Sequence, residues 1–120
     1  MKKLITVILV TYNDSRLLNC LDSLLKQSFS DFKIILINDG GKDLKISKNF
    51  KKLDIEYIKL KKNIGLTKCL NIGIKKTTSN YIARIDSDDY ALPERLEMQL
   101  SYVLDNNLDL IGSSIIQKVS

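Results

Sequence analysis

Apolar residues along this chain fall into short continuous runs that alternate with stretches of helical spacing. The runs are rich in isoleucine and valine, which is typical of strands that are covered on both faces. We predict strands over Leu4 to Tyr12, Phe32 to Asn38, Ile55 to Leu60, Tyr81 to Ile85 and Leu108 to Ile116.

Between the strands, apolar residues recur every three or four positions, which predicts amphipathic helices. Asn13-Asp14-Ser15 offers N-cap chemistry for the first helix, the second covers Gly65 to Lys76, and Pro93-Glu94-Arg95 is typical of the start of the third. The apolar positions behind these predictions are Leu17, Leu18, Leu21, Leu24 and Leu25; Leu66, Cys69, Leu70 and Ile74; and Leu92, Leu96, Leu100 and Val103. We predict one α/β domain over residues 1–120, a three-layer sandwich with a mostly parallel sheet.

Composition supports a globular domain, with 44% hydrophobic residues, 28% charged residues and one proline. No apolar run approaches the roughly 20 residues that span a bilayer, and the start of the chain does not resemble a cleaved signal peptide. We therefore expect a cytoplasmic protein, with peripheral contact at the inner face of the membrane as an open alternative. Cys20 and Cys69 form no CxxC pair and are expected to be reduced packing residues.

The net charge of +5 comes mainly from lysines, and it is compatible with nucleic acid, an anionic membrane or phosphate ligands. These lysines are scattered at loop and helix-surface spacing, which is typical of solvated faces. No aromatic residues are interleaved with them in an RNA-binding pattern, and no helix-turn-helix signal is present. We predict no nucleic-acid partner.

The most informative polar cluster is Asp86-Ser87-Asp88-Asp89, which directly follows the strand Tyr81 to Ile85. Three carboxylates this close repel one another unless solvent, backbone N–H groups or a cation compensates them. Mg²⁺ and Mn²⁺ prefer oxygen ligands, and Mg²⁺ often combines one or two carboxylates with substrate phosphates. The cluster therefore favours a divalent metal and a phosphate-bearing ligand, although aspartate and serine are also ordinary turn residues ahead of a helix.

Two further strands end in polar segments, Tyr12-Asn13-Asp14 and Asp39-Gly40-Gly41. The glycines allow a sharp turn or the close approach of a ligand. In parallel α/β sheets, ligands bind beyond the carboxyl ends of the strands. We therefore expect these two segments and the acidic cluster to converge on one site.

These and other segments together resemble the nucleotide-binding half of family 2 glycosyltransferases, which have the GT-A fold. The matching stretches, in order, are Val10-Thr11-Tyr12-Asn13, Gln27-Ser28-Phe29-Ser30-Asp31-Phe32, Ile37-Asn38-Asp39-Gly40, Asn63-Ile64-Gly65-Leu66 through Asn71-Ile72-Gly73-Ile74, Tyr81 to Asp89, and Leu92-Pro93-Glu94-Arg95-Leu96. The set spans nearly the whole chain. The resemblance implies transfer of a sugar from a nucleotide-diphosphate donor in the synthesis of a cell-surface polysaccharide or glycoconjugate.

The resemblance also implies roles in donor binding. Thr11, Tyr12 and Asn13 would belong to the nucleotide site, with the Tyr12 ring stacked on the base. Asp39 would accept the ring N–H of uracil, which favours a UDP-sugar. The structural alternatives are that Tyr12 is a core aromatic residue and that Asp39 is a turn residue.

In the same resemblance, Asp86-Ser87-Asp88 is the DxD motif. Asp88 would bind Mn²⁺ or Mg²⁺, and Asp86 would hold the ribose hydroxyls or a metal-bound water. Leu70 stands where many members have an arginine for the diphosphate. Lys68 would supply that cation, or would be a solvated lysine. Asn38-Asp39 replaces a common pair of aspartates.

The resemblance covers only part of a glycosyltransferase, because members generally continue into an acceptor-binding half that carries the general base of an inverting reaction. We expect this chain to lack that half, to contain no general base, and to bind donor without transferring sugar to its saccharide or lipid-linked acceptor. The acidic residues after Asp89 are expected to be surface charges; they are Glu94, Glu97, Asp105 and Asp109. The alternative is a noncatalytic nucleotide-binding or protein-interaction module.

Overall fold

A computed structural model of the chain describes residues 2–105, 110–111 and 116–118. Its strands are β1 (Ile5–Thr11), β2 (Phe32–Asn38), β3 (Ile55–Lys59), β4 (Tyr81–Arg84), β5 (Leu110–Ile111) and β6 (Ile116–Lys118). Its helices are α1 (Leu17–Leu25), α2 (Leu66–Lys76) and α3 (Arg95–Asp105), with a 3₁₀ turn at Lys48–Phe50 that the pattern did not predict. The first four predicted strands and the three predicted helices are confirmed.

The strands form a mixed sheet in the order β3-β2-β1-β4-β6-β5. The first four are parallel, and β6 runs antiparallel to both β4 and β5. The mostly parallel sheet is therefore confirmed. β1 and β2 pair in register from Ile5–Phe32 to Thr11–Asn38, so the two strands end side by side at the edge where the polar segments begin.

The prediction of one strand over Leu108 to Ile116 is wrong. In the described part of this range, β5 and β6 are separate short strands that pair antiparallel with each other. A continuous strand cannot pair with itself in this way, and the apolar run alone carries no signal for a change of direction. Positions 108, 109 and 112–115 lie outside the described residues, as does Asp109 with its predicted surface charge.

Both faces of the sheet are covered, which confirms the three-layer sandwich. Alternate β1 residues such as Val7 and Leu9 pack with α1 and α3 on one face. Ile8 points to the other face and packs with Cys69 of α2. The alternation explains why the strands read as continuous apolar runs, since each face has its own core.

Four apolar positions that the helical spacing placed on buried faces are exposed: Leu18, Leu66, Ile74 and Leu92. In α2 the reason is the size of the contacting residues. The helix packs through Cys69 and Gly73, and a Cβ added at Gly73 would lie 2.8 Å from Cγ2 of Ile8. Such a close, narrow contact leaves the larger side chains at the flanks in solvent.

The cysteine prediction is confirmed, because Cys20 and Cys69 are both free and buried. Burial raises the pKa of each thiol to about 12. Within the part of the chain that the structure describes, no helix is long and apolar enough to cross a membrane.

Candidate functional site

The three polar segments predicted to converge lie together at the carboxyl edge of the parallel strands. We call them the β1 loop (residues 12–16), the β2 loop (residues 39–44) and the acidic loop (residues 86–89). The Lys42 backbone N–H donates to Asn13 Oδ1 at 2.8 Å and links the first two loops. The Ser87 hydroxyl donates to Asp14 Oδ2 at 2.7 Å and links the first to the third. The three loops therefore form one connected site.

Asp39 anchors the start of α2 as well as lying in the β2 loop. Its side chain is buried, and its two carboxylate oxygens accept the backbone N–H groups of Ile64 (2.8 Å) and Gly65 (3.1 Å). Its own backbone N–H donates to the Thr11 carbonyl at 2.9 Å. A carboxylate offers about four acceptor positions, so capacity for a further donor remains. Contact with a uracil N–H stays a prediction.

The side-chain amide of Asn38 bonds the β2 loop through both its nitrogen and its oxygen. Its Nδ2 donates to the Lys42 carbonyl at 2.8 Å and to the Tyr57 hydroxyl at 3.1 Å, while its Oδ1 accepts the Gly41 N–H at 2.9 Å. A carboxylate at this position would have no N–H for the Lys42 carbonyl. The amide therefore holds the β2 loop in shape without adding charge.

The other predicted base-pocket residues occupy three different environments. Tyr12 is 53% exposed, which rules out a core aromatic and leaves its ring accessible to a base. Thr11 is buried, and its Oγ1 has no hydrogen-bond partner within the described structure. Asn13 has a positive φ of 48° and uses its amide oxygen on the β2 loop. Lys68 is exposed on α2, and its contact with a diphosphate stays a prediction.

The acidic loop brings three carboxylates together. Asp86, Asp88 and Asp89 each offer an oxygen, and these three oxygens lie within 4.8 Å of one another. Oxygens on a hard cation such as Mg²⁺, at about 2.1 Å from the metal, are at most about 4.2 Å apart, so small side-chain adjustments suffice. The donor set therefore fits Mg²⁺ or Mn²⁺. Asp89 also closes the loop, because its Oδ2 accepts the Asp86 backbone N–H at 3.1 Å.

The sequence pattern missed an ion pair beside this cluster. The segment Asn13-Asp14-Ser15 was predicted to cap α1, but that helix follows Arg16 without a side-chain cap. Instead Asp14 Oδ1 accepts the backbone N–H and the Nε–H of Arg16, each at 2.9 Å. Arg16 Nη1 in turn lies 3.8 Å from Asp88 Oδ2. An acid and a base two positions apart in a loop give no sequence signal for a role in a site.

The Asp14 contacts predict an acid-sensitive contribution to stability. The bonds from Arg16 and Ser87 lower its pKa from 3.8 to about 2. As the pH falls, the unfolded chain takes up this proton first, so the stabilisation is complete above about pH 3.8 and is lost towards pH 2. Urea unfolding across this pH range should show that the free energy of unfolding falls more steeply with decreasing pH for the wild type than for Asp14→Asn. Parallel pH profiles for the two proteins would contradict this assignment.

A second set of contacts holds the segment that follows the acidic loop. Gln27 donates from Nε2 to the Leu92 carbonyl at 2.7 Å and accepts the Leu96 N–H on Oε1 at 3.1 Å. The Ser28 backbone N–H donates to the Pro93 carbonyl at 2.8 Å. Gln27 and Ser28 therefore connect the end of α1 to the start of α3.

The chain is similar to known glycosyltransferases in both sequence and structure. O-antigen biosynthesis glycosyltransferase WbnJ of Escherichia coli is 41% identical over 99 residues, which cover 79% of this chain and 39% of that protein. Amylovoran biosynthesis glycosyltransferase AmsE of Erwinia amylovora is 35% identical over 124 residues, covering 93% of this chain and 45% of that protein. The crystal structure of S. aureus TarS 1-349 in complex with UDP matches with a TM-score of 0.79 and 28% identity, over 92% of this chain and 34% of that chain.

The fold, with its acidic segment at the carboxyl end of β4, is that of the GT-A glycosyltransferases. Within that class, the chain belongs to glycosyl transferase family 2, whose family model matches residues 6–119. It spans 39% and 45% of the lengths of the two curated relatives described above.

Proposed function

We propose that this chain is the donor-binding part of a glycosyltransferase that takes a sugar from a UDP-sugar. The observation that carries the proposal is the cluster of three carboxylate oxygens within 4.8 Å, on a loop bonded to the segment that presents Tyr12. The similarity to the TarS structure in complex with UDP, over 92% of this chain, supports a nucleotide donor. The curated names of WbnJ and AmsE support a role in polysaccharide biosynthesis. A cytoplasmic location remains part of the proposal.

In this proposal each loop has a separate task. The exposed Tyr12 ring stacks on the base, and the Asp39 carboxylate accepts the ring N–H of uracil. Asp88 and Asp86 would hold Mn²⁺ or Mg²⁺, and Asp86 would bind either the ribose hydroxyls or a metal-bound water. When bound, the cation supplies charge neutralisation for the departing nucleoside diphosphate. The protein's own contribution is to fix these groups before the donor arrives.

Sugar transfer also needs an acceptor site and a base that removes the proton of the acceptor hydroxyl. Among the described residues after the acidic loop, Glu94, Glu97 and Asp105 are exposed, as expected for surface charges. We propose that the site for the acceptor, whether saccharide or lipid-linked, lies in the acceptor-binding half of the glycosyltransferase, outside these 120 residues. The general base of an inverting reaction would lie in that same half. By this proposal the chain alone binds donor and does not transfer sugar.

Calorimetry with UDP tests the donor assignment directly. We expect binding in the presence of Mn²⁺, loss of binding with excess EDTA, and weaker binding of CDP, because cytosine N3 is an acceptor and offers no ring N–H to Asp39. Equal binding of UDP and CDP would contradict the base assignment. A folded chain that binds neither nucleotide with Mn²⁺ would contradict the donor-site proposal.

A protein-interaction module is the second candidate, and exposed apolar side chains favour it. Leu92 is 70% exposed just before α3, and Met98 is 67% exposed on α3. Clustered exposed apolar residues are typical of surfaces that meet another protein. Self-association in sedimentation velocity that is the same with and without UDP and Mn²⁺ would support this candidate.

A further inference from the structure

Arg16 is held in one orientation at the edge of the acidic loop. Its guanidinium forms a fork on Asp14, with Nε 2.9 Å from Oδ1 and Nη2 3.4 Å from Oδ2. The remaining nitrogen, Nη1, lies 3.8 Å from Asp88 Oδ2. The side chain is nevertheless 63% exposed, so the face beside Asp88 is open to a ligand.

The acidic loop itself sets this orientation. Asp14 is the partner of Arg16, and the Ser87 hydroxyl between the two DxD aspartates donates to Asp14 at 2.7 Å. The Asp14 side chain is only 14% exposed, which limits its movement. The guanidinium is therefore positioned relative to Asp88 through a short chain of contacts.

The distances place Arg16 within reach of a phosphate bound at the same site. A cation on Asp88 would hold carboxylate and phosphate oxygens at about 2.1 Å each, so the two oxygens lie no more than about 4.2 Å apart. Nη1 is already 3.8 Å from the carboxylate oxygen. Arginine has the planar donor fork that suits phosphate.

We propose that Arg16 contacts the diphosphate of the bound donor and, before binding, balances the charge of Asp88. This inference rests on the proposed donor function. It leads to opposite expectations for two affinities when the arginine is removed. The affinity for a free cation should stay equal or rise, because Arg16 competes with that cation for Asp88. The affinity for UDP with the cation should fall, because Arg16 attracts the diphosphate.

The test compares Arg16→Gln with Lys26→Gln. Lys26 is a matched control, because it is 59% exposed and paired with an aspartate, Asp22, at 2.9 Å, so the same charge and a similar ion pair are removed. We expect Arg16→Gln to weaken UDP binding with Mn²⁺ at least about tenfold, as for loss of a charge-assisted contact, and to leave Mn²⁺ affinity alone equal or tighter. Calorimetry measures the first quantity, and electron paramagnetic resonance of free Mn²⁺ measures the second. Lys26→Gln should change neither.

Each alternative outcome identifies what has failed. If the wild type does not bind UDP with Mn²⁺, the proposed donor function fails, and this inference falls with it. If the wild type binds and Arg16→Gln binds as well as Lys26→Gln, only this inference is overturned. Loss of both Mn²⁺ and UDP binding would also overturn it, because Arg16 would then only support the acidic loop. Arg16→Lys, which keeps the charge, should retain part of the UDP affinity and serves if the glutamine variant does not fold.

Discussion

Replacing Asp88 by alanine is expected to abolish metal-dependent UDP binding while leaving the fold intact. The Asp88 side chain is 47% exposed, and its Oδ2 lies 3.8 Å from Nη1 of Arg16. The other two acids of the cluster have additional bonds, since Asp86 accepts from Arg84 and Asp89 closes the loop. Asp88 is therefore the carboxylate most available to a cation. We expect a loss of UDP affinity of about a hundredfold or more in calorimetry with Mn²⁺.

Asp22→Ala is a suitable control for this variant. Asp22 is also a half-exposed acid, with a side chain that is 41% exposed and paired to Lys26 at 2.9 Å, but it lies on α1 outside the acidic loop. It should bind UDP like the wild type. Thermal unfolding should show little change for Asp88→Ala, because exposed ion pairs contribute little to stability. Retained metal-dependent binding in a folded Asp88→Ala protein would remove the acidic loop from the proposed donor site.

The layout of the fold was predictable from the sequence because each strand has two covered faces. β2 (Phe32–Asn38) was predicted at its observed bounds, since its continuous apolar run stops abruptly at Asp39-Gly40-Gly41. The short strands β5 and β6 were not, because strand pairing after α3 depends on contacts that a local apolar run does not encode. The exposure of Leu66 and Ile74 was missed for a related reason, since it follows from the small residues through which α2 meets the sheet.

The location of the site was predictable to the level of loops, and its internal contacts were not. The ends of parallel strands share an edge, which was sufficient to bring Tyr12, Asp39 and the acidic loop together. Two decisive contacts join positions that are 73 and 25 residues apart, Ser87 with Asp14 and Ile64 with Asp39. Spacing along the chain carries no information about such pairs. The double role of Asp39, as an anchor for α2 and as the proposed base contact, emerges only from these bonds.

The anchoring of Asp39 depends on a close approach between two loops at Gly40. This residue has a φ of +79°, and a Cβ built on it would lie 2.3 Å from the Asn63 nitrogen and from the Lys62 carbonyl carbon. Both are backbone atoms, so no side-chain rotation can make room. The segment that would have to move continues into Ile64 and Gly65, whose N–H groups bind the Asp39 carboxylate. Any side chain at position 40 should therefore disturb the bonds from Ile64 and Gly65 to Asp39 as well as the turn.

Gly40→Ala is accordingly expected to lower the free energy of unfolding by roughly 3 kcal/mol or more, from left-handed backbone strain plus the clash. Gly65→Ala provides a matched control, because Gly65 also has a positive φ, +97°, but has no atom within 4 Å of an added Cβ. With ψ at 157°, Gly65 is in a conformation that is essentially restricted to glycine, so this variant should lose only a backbone component of about 1 to 3 kcal/mol and less than Gly40→Ala. Urea unfolding monitored by circular dichroism measures both. The difference between the two variants isolates the close approach, and equal losses would show that the β2 loop can move away from residues 62–63 at little cost.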